Sequence, residues 1–286
     1  MRDRADLHIH STASDGYMTP TEVIEEAARL GLGAVSLTDH DTVAGLAEAQ
    51  DVADRLCVEF VPGVEINTDY GNTEVHILGY FIDPASQILQ DGLARLRAAR
   101  LDRGARIVGR LQNLGVRVTM DRVMEIAGSA SLGRPHIARA ICETGVVDGM
   151  NSAFGRYLVR GAPAFVPRSK LCATEAIGLV RSARGVACLA HPGKIGSDRV
   201  LPEFVEAGLD AIEVWHTDHS RDVSKRYLKL ADRHGLIPTG GADSHGLYAN
   251  KPVQIGSVTV DLESVVRLRA VSRRDIAPGK NCLTEE

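Results

Sequence analysis

Asp6-Leu7-His8-Ile9-His10 ends a short apolar run that begins at Ala5, and its alternation is that of a strand. Residues i and i+2 of a strand point the same way, so Asp6, His8 and His10 share a face, and two imidazoles can grip one cation. Thr19-Pro20-Thr21-Glu22 follows, a capping box with proline at the first helical position, opening a helix that stops at Gly31. The alternation then repeats outward. Strands are predicted at 33–38, 58–66 and 74–81 with a helix at 43–56. After an interruption come strands at 186–190, 211–215 and 237–240, with helices around 202–207 and 222–234. About seven strand–helix steps predict a largely parallel sheet, and that number favours closure into a barrel.

The interruption, 83–170, reads as a helical insertion: a long arginine-bearing pattern over 87–115, then shorter segments around 120–127, 135–143 and 151–159. The expected division is a barrel from 1–82 and 171–270, a helical cap at 83–170, and a polar tail at 271–286. Charge follows that division. Lys and Arg number 14 in the insertion against 7 Asp and Glu, a net of +7, while the remainder carries −11. An acidic body with a basic insertion suits a cation-holding site that faces an anionic substrate.

A chain of 286 residues fits one barrel with an insertion as well as two domains. Apolar residues at 44% and charged residues at 24% are ordinary for a globular protein. No apolar run is long enough for a membrane span, and the first strand begins too early to leave room for a signal peptide. The five cysteines (Cys57, Cys142, Cys172, Cys188, Cys282) are odd in number and contain no C-x-x-C pair. That argues for a reducing compartment, and the cytoplasm is the expectation. A net charge of −4 and 12 aromatic residues disfavour a binder of long nucleic acid.

The decisive feature is where the histidines fall. His8 and His10 end the first strand, Asp39-His40 the second, and Glu65 lies near the end of the third, with His76 in the fourth. His191 and His216 end the next two strands, and Asp243-Ser244-His245 follows the last. Carboxyl ends of strands form the active-site face of α/β barrels, so distant segments deliver imidazoles and carboxylates to one rim. Asp15, in Ser14-Asp15-Gly16, can fold over the same opening. Imidazole and carboxylate without thiolate suit manganese, iron or zinc.

These motifs, together with Thr38-Asp39-His40-Asp41, Pro62-Gly63-Val64-Glu65, Val75-His76-Ile77-Leu78-Gly79 and Ala190-His191-Pro192, resemble the PHP (polymerase and histidinol phosphatase) family. Within it, the likeness is to the bacterial branch that contains nucleoside 3′,5′-bisphosphate phosphatases. It runs over about residues 6–250 and takes in Gly133-Arg134-Pro135-His136 in the insertion. The resemblance implies a distorted (β/α)7 barrel holding three divalent ions, most often manganese. One ion would take His8, His10, Glu65 and Asp243, a second Glu65, His76 and His191, and a third Asp15, His40 and His245.

Clustered cations lower the pKa of a bridging water and neutralise phosphoryl oxygens, so the expected chemistry is hydroxide attack on a phosphate ester. The expected substrate is a small phosphorylated ribose compound or nucleotide, as cyclic diester, monoester or both in turn. Asp39 reads as a proton handler or a group behind the ligands, and His216 as an orienting group. Arg134, His136 and Lys194 are candidates for a second anionic group, with Arg168 and Lys170 weaker ones. Lys194-Ile195 stands where the nucleotide-phosphatase relatives tend to carry arginine and an aromatic residue, which counts against adenine recognition. Trimming of short RNA 5′ ends, histidinol phosphate hydrolysis, C–N hydrolysis and a non-catalytic metal-binding module are the competing readings.

Overall fold

The computed structural model describes residues 3–71, 73–167, 171–246 and 253–274. Seven strands follow one another around the sheet in chain order: β1 (Arg4–Ile9), β2 (Ala34–Leu37), β3 (Glu59–Tyr70), β4 (Thr73–Tyr80), β5 (Val186–Leu189), β6 (Ala211–His216) and β7 (Ile237–Gly241). A short β8 (Val260–Asp261) lies antiparallel on β1 at Arg4 and Ala5. The ring closes at the carboxyl end of β1. There the Asp243 N–H donates to the His8 carbonyl at 2.8 Å, and the His10 N–H to the Ser244 carbonyl at 2.9 Å. This approach needs Gly241, because a Cβ there would collide with the backbone nitrogen of His8. The fold is a distorted α/β barrel.

The sheet is less parallel than the sequence pattern predicts. β4 runs antiparallel to both β3 and β5. Its connection to β3 spans only two positions, Gly71-Asn72, which is hairpin length and cannot hold a crossover helix. The reversal puts the start of β4 on the same rim as the ends of its neighbours.

Six helices pack around the ring: α1 (Pro20–Arg29), α2 (Leu46–Leu56), α7 (Ala173–Ser182), α8 (Leu201–Glu206), α9 (Arg221–His234) and α10 (Leu262–Arg274). The first has the expected capping box between Thr19 and Glu22. Neither α7 nor α10 is foreseen by the sequence pattern, and α10 runs four residues into the stretch expected as tail. Its Val265 and Leu268 are buried with Ala5, Ala34, Val186 and Ala211, so it stoppers the barrel at the amino ends of the strands.

Between β4 and α7 stand α3 (Gln87–Asn113), α4 (Met120–Ala127), α5 (Arg134–Glu143), α6 (Met150–Ala153) and one π-helical turn, Phe154–Leu158. They bury a separate apolar cluster that includes Ile107, Leu111, Val123, Ile137, Ile141 and Leu158. Among the described residues no helix is long and apolar enough to cross a membrane.

Candidate metal centre

The barrel geometry delivers donors to one rim from every side. His8 and His10 come from the end of β1. Asp15 lies in the following loop, which turns back at Gly16, where a Cβ would stand 2.5 Å from the His10 carbonyl oxygen. His40 arrives because the chain beyond β2 continues to pair with β3: His40 bridges Glu65, and the Asp41 N–H donates to the Glu65 carbonyl at 2.9 Å. His76 sits early in β4 and reaches this rim only because that strand is reversed. His191, Asp243 and His245 follow β5 and β7. Asp41, His191 and Asp243 hold positive φ values of 54°, 25° and 52°. Such backbone costs on the order of 1–3 kcal/mol per residue and is typical of functional rims.

Glu65 stands at the centre, 1% exposed. Its Oε2 lies 3.4 Å from His8 Nε2, 3.2 Å from His10 Nε2 and 2.9 Å from His40 Nδ1, while Oε1 lies 2.6 Å from His76 Nδ1 and 3.1 Å from His191 Nε2. Asp243 Oδ1 closes the first group at 3.1 Å from His10 Nε2. On the other flank His245 Nε2 is 3.3 Å from Asp15 Oδ1, with His40 and His10 beside it. Donor atoms in each of three sets lie within 4.8 Å of one another: His8, His10, Glu65 and Asp243; His40, Glu65 and His76; and His10, Asp15, His40 and His245.

Eight of the nine positions singled out in the sequence as ligands fall in these sets, with His10, His40 and Glu65 each in two. The ninth, His191, lies 3.1 Å from Glu65 Oε1, while His40 stands beside Glu65 and His76 where His191 is expected. The charge balance suits cations. Burial opposes ionisation of Glu65 and Asp15, yet the surrounding imidazoles hold both carboxyls well below their usual range. Burial also disfavours a charged His10, but the carboxylates of Asp243 and Glu65, 3.1 and 3.2 Å from its Nε2, lift it to about 10 in the metal-free chain. Burial draws His191 down to about 4, so it is a neutral donor at ordinary pH.

A layer behind the donors fixes their direction. Glu213, fully buried on β6, accepts from His8 Nδ1 at 3.0 Å and from the His191 backbone N–H at 2.7 Å. It is not among the candidates the sequence motifs supply. Its signal is an acid at an inward position of an otherwise apolar strand. His216 Nδ1 accepts the Asp218 N–H at 2.9 Å, so its Nε2–H donates to Asp243 Oδ2 at 3.2 Å. It orients a carboxylate of the donor set, where the sequence expectation is a group orienting the nucleophile or substrate.

The sequence expectations for Asp6 and His136 are corrected, and of the two readings of Asp39 its bonds support the group behind the ligands. Asp6 leaves the face of His8 and His10, because the β1–β2 register shifts between Asp6 and Ile9. Its carboxylate takes N–H groups from Ala242, Gly256 and His8, and burial, opposed by those bonds, raises it to about 7. Asp39 accepts the Ser11 N–H and hydroxyl at 2.8 and 2.7 Å and the Ser14 hydroxyl at 2.5 Å. Those bonds fasten the Asp15 loop, so Asp39 is a positioning residue. His136 Nδ1 accepts the Gly133 N–H at 3.0 Å, capping α5, and lies outside the cavity lining.

The donors open into a cavity of about 210 Å³ whose far wall belongs to the insertion. Arg134 and Lys194 both line it. Arg134 Nη2 is 3.7 Å from Glu74, and Lys194 Nζ is 3.4 Å from both Asp218 and Asp243. Arg168 and Lys170 fall outside the described residues. Arg100, Arg103 and Phe154 also line the cavity, beyond the candidates that the motifs supply. The arginine signal is the three-residue spacing of Arg97, Arg100 and Arg103, which keeps them near one helix face.

This donor set sits on a chain whose residues 6–112 match the PHP domain model. A 3′,5′-nucleoside bisphosphate phosphatase of Chromobacterium violaceum is 39% identical over 246 residues, covering 84% of this chain and 86% of the relative. The chain belongs to the PHP family. A phosphoribosyl 1,2-cyclic phosphate 1,2-diphosphodiesterase of Eggerthella lenta is 34% identical over 86% of this chain and 96% of the relative. The crystal structure of a proposed metal-dependent phosphoesterase from Bifidobacterium adolescentis superposes with a TM-score of 0.87 at 33% identity, covering 93% of this chain and 96% of that one. Fold, donor set and relatives agree on a PHP metal-dependent phosphoesterase.

Proposed function

We propose that this PHP protein is a three-metal phosphatase acting on small nucleotides that carry more than one phosphate. The observation that carries the reading is the contrast across one cavity: imidazole and carboxylate donors on the barrel side, and guanidinium groups on the insertion side. The donors fit divalent cations. His8 Nε2, both nitrogens of His10, Asp15 Oδ1 and Glu65 Oε2 are buried without hydrogen-bond partners, although they face one another at contact distance. Buried polar atoms left so are costly unless something fills the space between them.

His8, His10, Glu65 and Asp243 would hold one ion, Glu65, His76 and His191 a second, and Asp15, His40 and His245 a third. Oxygen and imidazole donors without thiolate favour manganese, with iron or zinc as the other metals such a set accepts. Bound there, the ions supply an activated water and neutralise the phosphoryl oxygens. The chain's own groups do the rest. Glu213 keeps the Nε2 face of His8 turned to the cluster, and His216 keeps Asp243 aimed. Lys194 adds positive charge beside Asp243, where charge builds as the phosphoryl group reacts. Arg134 meets the substrate from the insertion side.

A second reading, hydrolysis of a cyclic ribose phosphate, is favoured by the scarcity of stacking surface. Apart from histidine, Phe154 is the aromatic side chain among the described lining residues. A phosphate-release screen of manganese-loaded protein separates the two readings, comparing adenosine 3′,5′-bisphosphate, ribose 1,2-cyclic phosphates and histidinol phosphate. The expected result is release from the bisphosphate that is lost in His8→Ala. Opening of the cyclic phosphate alone, read as its monoester product because breaking one P–O bond of a cyclic diester frees no phosphate, would transfer the assignment.

A further inference from the structure

Arg100 differs from the other cations of the cavity in how it is held. Its Nε donates to Asp41 Oδ2 at 2.5 Å and its Nη1 to the Leu132 carbonyl at 3.1 Å. Asp41 is the residue after His40, and its other carboxylate oxygen accepts the Asn67 N–H at 3.0 Å. Arg97 Nη1 adds a bond to the Asp41 carbonyl at 3.1 Å. The guanidinium plane is thus fixed from both sides, by the metal rim and by the turn that precedes α5. Its remaining nitrogen, Nη2, is buried and has no hydrogen-bond partner, while the side chain lines the metal cavity.

A buried guanidinium N–H left unpaired is unfavourable, and a charged donor more so than a neutral one. Because the fork is already immobilised, a ligand taken by Nη2 orders nothing further. The ligand chemistry that fits is an acceptor-only anion with oxygens spread around a centre, a phosphate. The reacting phosphoryl group belongs on the donor sets of the barrel. We infer that Arg100 binds the second, unreacting phosphate of the substrate and thereby selects bisphosphorylated nucleotides over simple monoesters. This inference rests on the phosphatase reading above and names the substrate class of the same cavity. The plainer role, a strut joining insertion and rim through Asp41, predicts a different kinetic pattern.

The test uses the full chain loaded with manganese, with adenosine 3′,5′-bisphosphate and p-nitrophenyl phosphate as paired substrates. The readout is the ratio of their kcat/KM values. Arg100→Met is expected to lower that ratio about 30-fold or more, through KM for the bisphosphate. Arg100→Lys, which keeps charge and length but loses the fork, is expected to lower it at least about 5-fold and serves if the methionine variant does not fold. A strut role alone predicts that both substrates fall by a common factor in each Arg100 variant. An unchanged ratio in both Arg100 variants would overturn the inference and leave Arg100 as a strut. Absence of phosphate release from either substrate by the unsubstituted protein would instead remove the phosphatase reading beneath it.

Discussion

The two walls of the cavity are built by opposite means. On the barrel side, short strands set each donor by backbone pairing, the donors are buried, and each acid is matched to several imidazoles around Glu65. On the insertion side, a 27-residue helix, α3, carries arginines that lean toward the rim and are held by single acids or carbonyls. On the reading proposed above, the first wall would carry out the chemistry and the second would select what approaches it. A phosphoesterase can keep one wall and vary the other, which fits relatives that are named for different substrates.

Breaking the barrel wall is expected to have the largest effect. His8→Ala or Glu65→Gln should lower kcat/KM by on the order of 10³-fold or more and reduce bound metal, read by elemental analysis beside a phosphate assay. Glu213→Gln, which leaves every donor in place but loosens His8 and the His191 backbone, should weaken metal affinity by about 10–100-fold, measured by metal titration. Arg134→Met strikes the other wall and should raise KM about 10-fold with little change in kcat. His136→Gln should change KM little and lower stability by about 0.5–2 kcal/mol in a denaturant titration, because that imidazole caps a helix.

The barrel wall also has a pH signature. In the metal-free chain His10 is lifted from 6.5 to about 10. A raised histidine stabilises the fold fully below its unfolded value and loses that contribution as pH climbs through the folded one. Thermal stability of the metal-free protein should therefore fall between pH 6.5 and 10. Metal displaces the same proton, so manganese uptake near neutral pH should release protons, and its affinity should weaken as pH falls. Calorimetry in buffers of different ionisation enthalpy reads this release. Uptake without proton release would mean that His10 is not a donor.

The asymmetry also explains what is legible in the chain. Strand ends are legible because alternation has a period of two and every strand after a helix points its carboxyl end to the same rim. Hence the amino-acid pattern alone places His8, His10, His40, Glu65, His191, Asp243 and His245 together. His76 belongs to the same rim for a reason the alternation does not give. Its strand runs backward, and the signal for that is the two-residue hairpin Gly71-Asn72. Asp39 and His136 carry chemistry-bearing side chains, and only the fold reveals that serine hydroxyls and backbone N–H groups already occupy them. Arg100 is concealed in a run of helix arginines. Spacing shows which of them share a face, while only packing shows which face meets the metals.

The central claim is a cluster of divalent ions held by the barrel rim. Elemental analysis of the purified protein after manganese loading and removal of free metal tests it most directly. The account predicts about three ions per chain, and fewer in His8→Ala. Fewer than two ions in the unsubstituted protein would contradict it.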